Sequence, residues 1–206
     1  AGYVDLMYKW NLGGGSVLDF SVGGMYRDKK RDSFFNEYTF DSATGSKDPQ
    51  YQGTDWNNYD ELLFAARKYG NISDPLNYDA TEKIGAGYGM GKYTYGRWEL
   101  IGGVRVEHTN QGYTLKFPTE SADPKGNQKY TDVLPSFHAK YGVHENANLR
   151  LSYARSINRP SFFEIVPYSI INEDYKEKGN PDLKHTVADN VDFRYEFFPK
   201  SSEQFM

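Results

Sequence analysis

The feature that most constrains this chain is the way its connections are sorted. Stretches with apolar and polar residues in alternation are joined, in turn, by a very short link and a very long one. The clearest case runs from Asn148 to Phe198. Leu149, Leu151 and Tyr153 alternate with Arg150, Ser152 and Ala154. Val191, Phe193, Tyr195 and Phe197 alternate with Asp192, Arg194, Glu196 and Phe198. A period of two marks a strand with one greasy face and one wet face. Roughly 30 residues lie between the two strands, far more than an ordinary hairpin needs.

The rest of the chain repeats this scheme. Val4, Leu6, Tyr8 and Trp10 alternate with Asp5, Met7 and Lys9, and Asn11 to Ser16 form a Gly-rich turn. Strand two carries Leu18, Phe20, Val22, Gly24 and Tyr26 on one face. It ends in Arg27 to Asp32 (RDKKRD), where mixed signs at a strand rim read as a solvated hairpin. From Ser33 to Asp79 the alternation is lost, which predicts a long loop. Inside it Asn58 and Glu61 fit a capping box, Leu62, Leu63, Ala66 and Tyr69 form an apolar stripe, and Gly70 suits the C′ position. That pattern predicts one short helix.

Strand three is expected from Thr81 to Tyr95, with Ile84, Ala86, Tyr88 and Met90 on one face and Gly85, Gly87, Gly89 and Gly91 on the other. Four alternate glycines suit the close approach of another backbone or a bend. Gly96 makes a tight turn. Strand four then sets Trp98, Leu100, Gly102, Val104 and Val106 against Glu99, Ile101, Gly103, Arg105 and Glu107. Pro118 to Lys129 reads as another loop, and strand five carries Phe137, Ala139, Tyr141 and Val143. The turns near Asn11, Gly96, Asn146 and Lys200 are short, and the three intervening loops are long.

A soluble meander has no reason to sort its connections so. A transmembrane β-barrel does, with short turns on the periplasmic side and long loops outside. Trp10, Tyr93, Tyr95, Trp98, Phe197 and Phe198 gather at the short-turn ends, where aromatic rings suit a water–lipid boundary. Mean hydropathy is −0.78, and no stretch approaches the 18 apolar residues of a spanning helix. A barrel escapes that test, because only alternate residues of each strand meet lipid. The expected fold is all-β: an antiparallel up-and-down meander of about seven strands over residues 1–206, part of a transmembrane β-barrel, with a short helix in one long loop. Ala1-Gly2-Tyr3 shows no leader-like pattern, and both ends fall beside a strand or turn, so the chain is read as a piece of a longer one. The rival reading is a soluble β-sandwich that binds carbohydrate or another ligand, with the apolar rows sealed between two sheets. An enzyme set in a barrel is a third, and it needs a Ser/His/Asp-type set that the sequence does not offer.

Leu149 to Pro167 (LRLSYARSINRPSFFEIVP), followed by Gly179 to Lys184 (GNPDLK), resembles the barrel of TonB-dependent outer-membrane receptors, especially those of Bacteroidetes-type bacteria. Gly23 to Asp32, Tyr78 to Gly91 and Gly102 to Tyr113 agree with it. The resemblance spans most of the chain, Ser33 to Asn77 excepted. It implies a larger barrel closed by an N-terminal plug, sited in the Gram-negative outer membrane, with uptake of a scarce nutrient such as a siderophore or glycan. It implies as partners membrane lipid, lipopolysaccharide, a small nutrient ligand and, through a plug absent from this stretch, the TonB complex.

A formal net charge of −4 speaks against nucleic acid as a partner. The chain has no cysteine, and its four histidines (His108, His138, His144, His185) are dispersed, so neither a metal site nor a cofactor is expected. No catalytic constellation stands out. Ligand contacts are sought in the long loops. Tyr51, Trp56 and Tyr59 offer flat rings, and Arg159 and Lys178 offer charge, a combination that suits a sugar or a chelate. Arg159-Pro160 and Gly179-Asn180-Pro181 also shape the loop, the glycine permitting a reverse bend. Arg105, Glu107, Arg155 and Arg194 are expected to line a polar lumen or meet the plug.

Overall fold

The computed structural model describes residues 1–35, 40–42, 64–66, 76–118, 123–171 and 174–199, with backbone alone at 40–42, 64–66 and 171. The strands are β1 (Gly2–Gly13), β2 (Ser16–Ser33), β3 (Phe40–Ser42), β4 (Phe64–Ala66), β5 (Tyr78–Tyr95), β6 (Trp98–Leu115), β7 (Lys125–His144), β8 (Ala147–Asn158), β9 (Ser169–Ile171), β10 (Lys176–Lys178) and β11 (Thr186–Phe197). A single turn of helix, α1 (Phe162–Ile165), follows β8. Seven strands form one antiparallel sheet in the order β1-β2-β5-β6-β7-β8-β11. The two small pairs, β3–β4 and β9–β10, belong to the long connections. Spatial order follows chain order, as an up-and-down meander requires. The tight turns before β2, β6 and β8 share one end of the sheet, and Gly96 takes a positive φ of 56° in one of them.

The strands outrun their expected ends. β2, β5 and β6 have 18 residues each and β7 has 20, whereas a tilted strand crosses a bilayer with about 9–11. From His108 to Gly112 both faces of β6 are polar or small, so the apolar alternation stops although the hydrogen-bond ladder continues to Tyr113 and Leu115. The same reason corrects two expectations. RDKKRD is no hairpin: it lies within β2 and pairs with Ile84 through Asp79 of β5. The segment Lys125 to Lys129 is strand β7, not loop. The helix expected between Asn58 and Gly70 lies mostly outside the described residues, but Phe64–Ala66 within it is strand, paired with β3. A short helix does occur in a long connection, at α1.

Strand pairing fixes the two faces. Directly opposed residues share a face, so Val4, Leu6, Tyr8 and Trp10 join Leu18, Phe20, Val22, Leu100, Val104, Val106, Val133, Phe137, Leu151, Tyr153, Val191 and Phe193. This apolar face is uncovered. Leu6 is 67% exposed, Val104 47% and Phe193 69%. No second sheet lies over it among the described residues, which removes the physical basis of the sandwich reading. Gly85, Gly87, Gly89 and Gly91 share this face. A Cβ at Gly85 would meet nothing within 4 Å, and one at Gly87, Gly89 or Gly91 would meet only the adjoining strand β2 at ordinary contact distance, so nothing lies over the strip among the described residues. At the turn end of the face, the Trp98 ring packs tilted against Tyr141 with centroids 4.5 Å apart, beside the stacked Tyr93–Tyr95 pair.

The core sits on the opposite face, at the loop end. Tyr78, Ala80, Tyr113 and Leu115 from β5 and β6 close on Phe162, Ile165 and Val166 around α1, with Leu183 against them.

Candidate functional site

The arrangement of interest is the segment from Arg159 to His185, laid across the loop-end half of the polar face. Its first turn is set by a capping box: Ser161 Oγ accepts from the Glu164 amide, and Glu164 Oε2 accepts from the Ser161 amide at 2.6 Å. That box turns Phe162 and Ile165 down onto the sheet. The return path is equally constrained. Asn180 N donates to Glu164 O at 2.7 Å and Gly179 N to Tyr168 O at 3.1 Å. Gly179 does not sit at positive φ, so no reverse bend calls for it. Glycine is needed there because a Cβ would run into the Val166 carbonyl.

Polar clasps hold the segment to the wall. Arg159 Nη2 pairs with Glu107, and its Nε donates to Thr109 Oγ1 at 3.1 Å. Arg105 holds the other Glu107 oxygen at 2.5 Å. Gln111 Nε2 donates to Pro160 O at 2.8 Å, and Gln128 Nε2 to Pro181 O at 2.6 Å. His185 stacks on Tyr130 at 4.0 Å and meets Asp132 Oδ1 at 2.8 Å. One carboxylate shared by two guanidiniums, both partly shielded from water, is a stronger tie than an exposed pair. Tyr168, buried and donating to Glu177 at 2.5 Å, has its phenol pushed well above the ordinary range, burial first and the carboxylate second. At the rim the Lys116 ammonium is raised by its hydrogen bond to Asp32, with Asp79 adding to it.

Pro135 explains why the segment has somewhere to go. Pairing between β7 and β8 ends at Ser136 and Ala154, beside Pro135, which has no N–H to offer a neighbour. Above that point β7 stays with β6 and β8 with β11, and Asn180 to His185 lies beside β7. A cleft of about 680 Å³ remains there, lined by Tyr113, Lys125, Asn127, Lys129, Asp182 and Lys184.

A family model described as the outer membrane protein beta-barrel family matches residues 3–205. This chain belongs to that family. The sheet of this outer-membrane barrel protein also resembles a solved structure, the ferric citrate transporter FecA in its unliganded form, with a TM-score of 0.56 and 14% sequence identity. The likeness covers 95% of this chain and 24% of that one, so the barrel protein described here spans about a quarter of that transporter's length. No curated protein matches the chain.

The structure places the expected site residues of this barrel protein unevenly. Arg105 and Glu107 stand on the polar face and are drawn together with Arg159. Arg194 shares that face, opposite Arg150. Arg155 does not. It continues the parity of Leu151 and Tyr153 onto the apolar face, where it grips Asp189 at 2.8 and 2.9 Å while the Tyr153 hydroxyl donates to the same carboxylate. The assignment of Arg155 to the polar face is therefore corrected by strand register, since odd-numbered residues of β8 all point the other way. Lys178 is exposed on β10. Tyr51, Trp56 and Tyr59 lie outside the described residues. Thr109, Gln111, Gln128 and Asp132 were not anticipated. Counting by twos from Glu107 finds the first two, and the S-x-x-E spacing at Ser161 and Glu164 marks the start of α1. No local signal marks Gln128 or Asp132, whose partners lie more than fifty residues away.

Proposed function

We propose that this chain is a partial barrel wall of a TonB-dependent receptor that takes up a scarce nutrient, such as a siderophore or a glycan, across the Gram-negative outer membrane. In this reading the apolar face meets lipid and lipopolysaccharide. The polar face, with Arg105, Glu107 and Arg194, lines the lumen and meets a plug supplied by a further part of the protein, through which the TonB complex acts. The single observation that carries it is the inverted sheet: apolar rows left open on one side, polar residues buried under a clasped segment on the other. That inversion suits a wall with hydrocarbon outside and a polar path inside. The segment Arg159 to His185 narrows the path and faces arriving solute, with Lys178 exposed on it. The transporter resembled in fold carries a metal chelate by its name, which suits the same class of cargo.

The test is uptake by intact cells. Radiolabelled ferric siderophores and oligosaccharides are offered to a strain with the gene, a strain without it, and a strain lacking the TonB complex. Uptake of at least one solute that vanishes in both deletions is expected. Uptake unaffected by loss of the gene, or lost with the gene but indifferent to TonB, contradicts the reading.

A further inference from the structure

Within the proposed transport role, we infer that the solute is an anion recognised through a row of cations on β2. In the sequence RDKKRD looks like a mixed-charge run, nearly balanced. The strand sorts it. Arg27, Lys29 and Arg31 lie opposite Ile84, Glu82 and Ala80, all on the polar face, while Asp28, Lys30 and Asp32 point to the apolar side. Alternation thus removes both carboxylates of the run from the polar face and leaves three successive cations there, about 7 Å apart at two residues per step.

The neighbours neutralise only Arg27 and leave Lys29 and Arg31. Glu82 is opposite Lys29 but takes Arg27 at 2.8 Å. Glu107 is already held by Arg105 and Arg159. Lys29 Nζ sits 5.1 Å from the Phe162 ring centroid, a contact that positions an ammonium without cancelling its charge. Arg31 lies beside Ala80, against the apolar core, and meets no carboxylate among the described residues. Lys29 and Arg31 are both exposed. A wall of fixed cations beside a low-dielectric cluster raises the local concentration of anions and favours solutes with two or more negative groups spaced to span it. Polycarboxylates and phosphates are the chemical class. Lys30, one residue from each of the two exposed cations, faces the other way, where lipid phosphate is the available anion.

The complete protein in detergent micelles is titrated with inorganic pyrophosphate, propane-1,2,3-tricarboxylate and the neutral trisaccharide maltotriose, at low and high salt. Both anions are expected to bind, more weakly as salt rises, and maltotriose not to compete. The Lys29→Glu/Arg31→Glu double variant is expected to lose roughly tenfold or more in affinity. Arg31→Gln alone, which leaves the Lys29–Phe162 contact intact, should lose less but measurably. Lys30→Glu, with the same change in net charge as a single reversal, should leave anion affinity unchanged and weaken binding to lipopolysaccharide vesicles instead. Three results overturn the inference: neither anion binds; maltotriose binds equally and without salt dependence; or Lys30→Glu costs as much as the double variant. The transport reading survives all three if gene- and TonB-dependent uptake of a neutral solute is intact, so the two claims fail separately.

Discussion

The two faces of one sheet obey opposite rules. On one side Leu6, Val104 and Phe193 stand largely uncovered. On the other, Glu107, Thr109 and Gln111 are buried and hydrogen-bonded beneath Arg159 to His185. A water-soluble sheet does the reverse, since uncovered apolar rows raise its free energy in water. The difference shows that exposure must be read against the solvent each face meets. For an outer-membrane barrel, an open apolar row facing acyl chains has no cost to offset, whereas a charge in that row does. The two arginines Arg155 and Arg159 make the contrast local: four positions apart, one bridges neighbouring strands on the apolar face and the other locks a folded-in segment to the polar one.

The comparison breaks most readily with a charge in mid-row. Val104→Arg is expected to cost about 2–4 kcal/mol and to abolish the heat-modifiable, folded band after expression in cells, whereas Arg105→Gln, on the next residue, should still assemble. Equal failure of both would mean that the faces are not distinguished by lipid. Smaller, and confined to the polar face, is Gly179→Ala. The added methyl meets the Val166 carbonyl, so a loss of about 3 kcal/mol in the docking of the segment is expected, read as protease cleavage between Arg159 and His185 in a protein that still assembles. Arg159→Ala removes one of two guanidiniums from Glu107 and leaves Thr109 without its donor. About 2 kcal/mol is expected, with the same protease pattern, and Arg159→Lys should restore only part because it cannot bond both partners in the same geometry. Smallest is Arg155→Ala. Its charge is matched by Asp189 on a face that meets lipid, so the change is made together with Asp189→Leu, which leaves no lone carboxylate there; a shift of less than about 1 kcal/mol is expected from thermal unfolding in detergent, with no change in protease cleavage.

Much of this was legible in the residues. Period-two alternation located the seven long strands, and the unequal connections gave the meander and its membrane setting. Register of a single strand was legible too: Glu107 and Arg105 share a parity, and counting alone separates Arg155 from them. Three things were not. Strand ends are hidden because β6 from His108 to Gly112 and β7 from Lys125 to Lys129 have no apolar face to show, while main-chain hydrogen bonds ignore side-chain polarity. The charge run at Arg27 to Asp32 reads as a hairpin for the same reason, and its sorting by face follows only from the continuation of β2 to Ser33. The clasp depends on contacts between residues about fifty apart, and no local pattern encodes which Gln or Asp a returning segment will meet.

The most direct test of the central claim places single cysteines in this cysteine-free stretch, in a protein whose thiols elsewhere, where present, are replaced by serine. Single cysteines placed in turn at positions 100 to 107 of β6 are spin-labelled in the protein reconstituted into bilayers, and collisions with oxygen and with a water-soluble nickel chelate are measured. The account predicts strict alternation, with labels at Leu100, Gly102, Val104 and Val106 favouring oxygen, and those at Ile101, Gly103, Arg105 and Glu107 shielded from it. Equal access on both parities, or nickel favoured at 100, 102, 104 and 106, would contradict it.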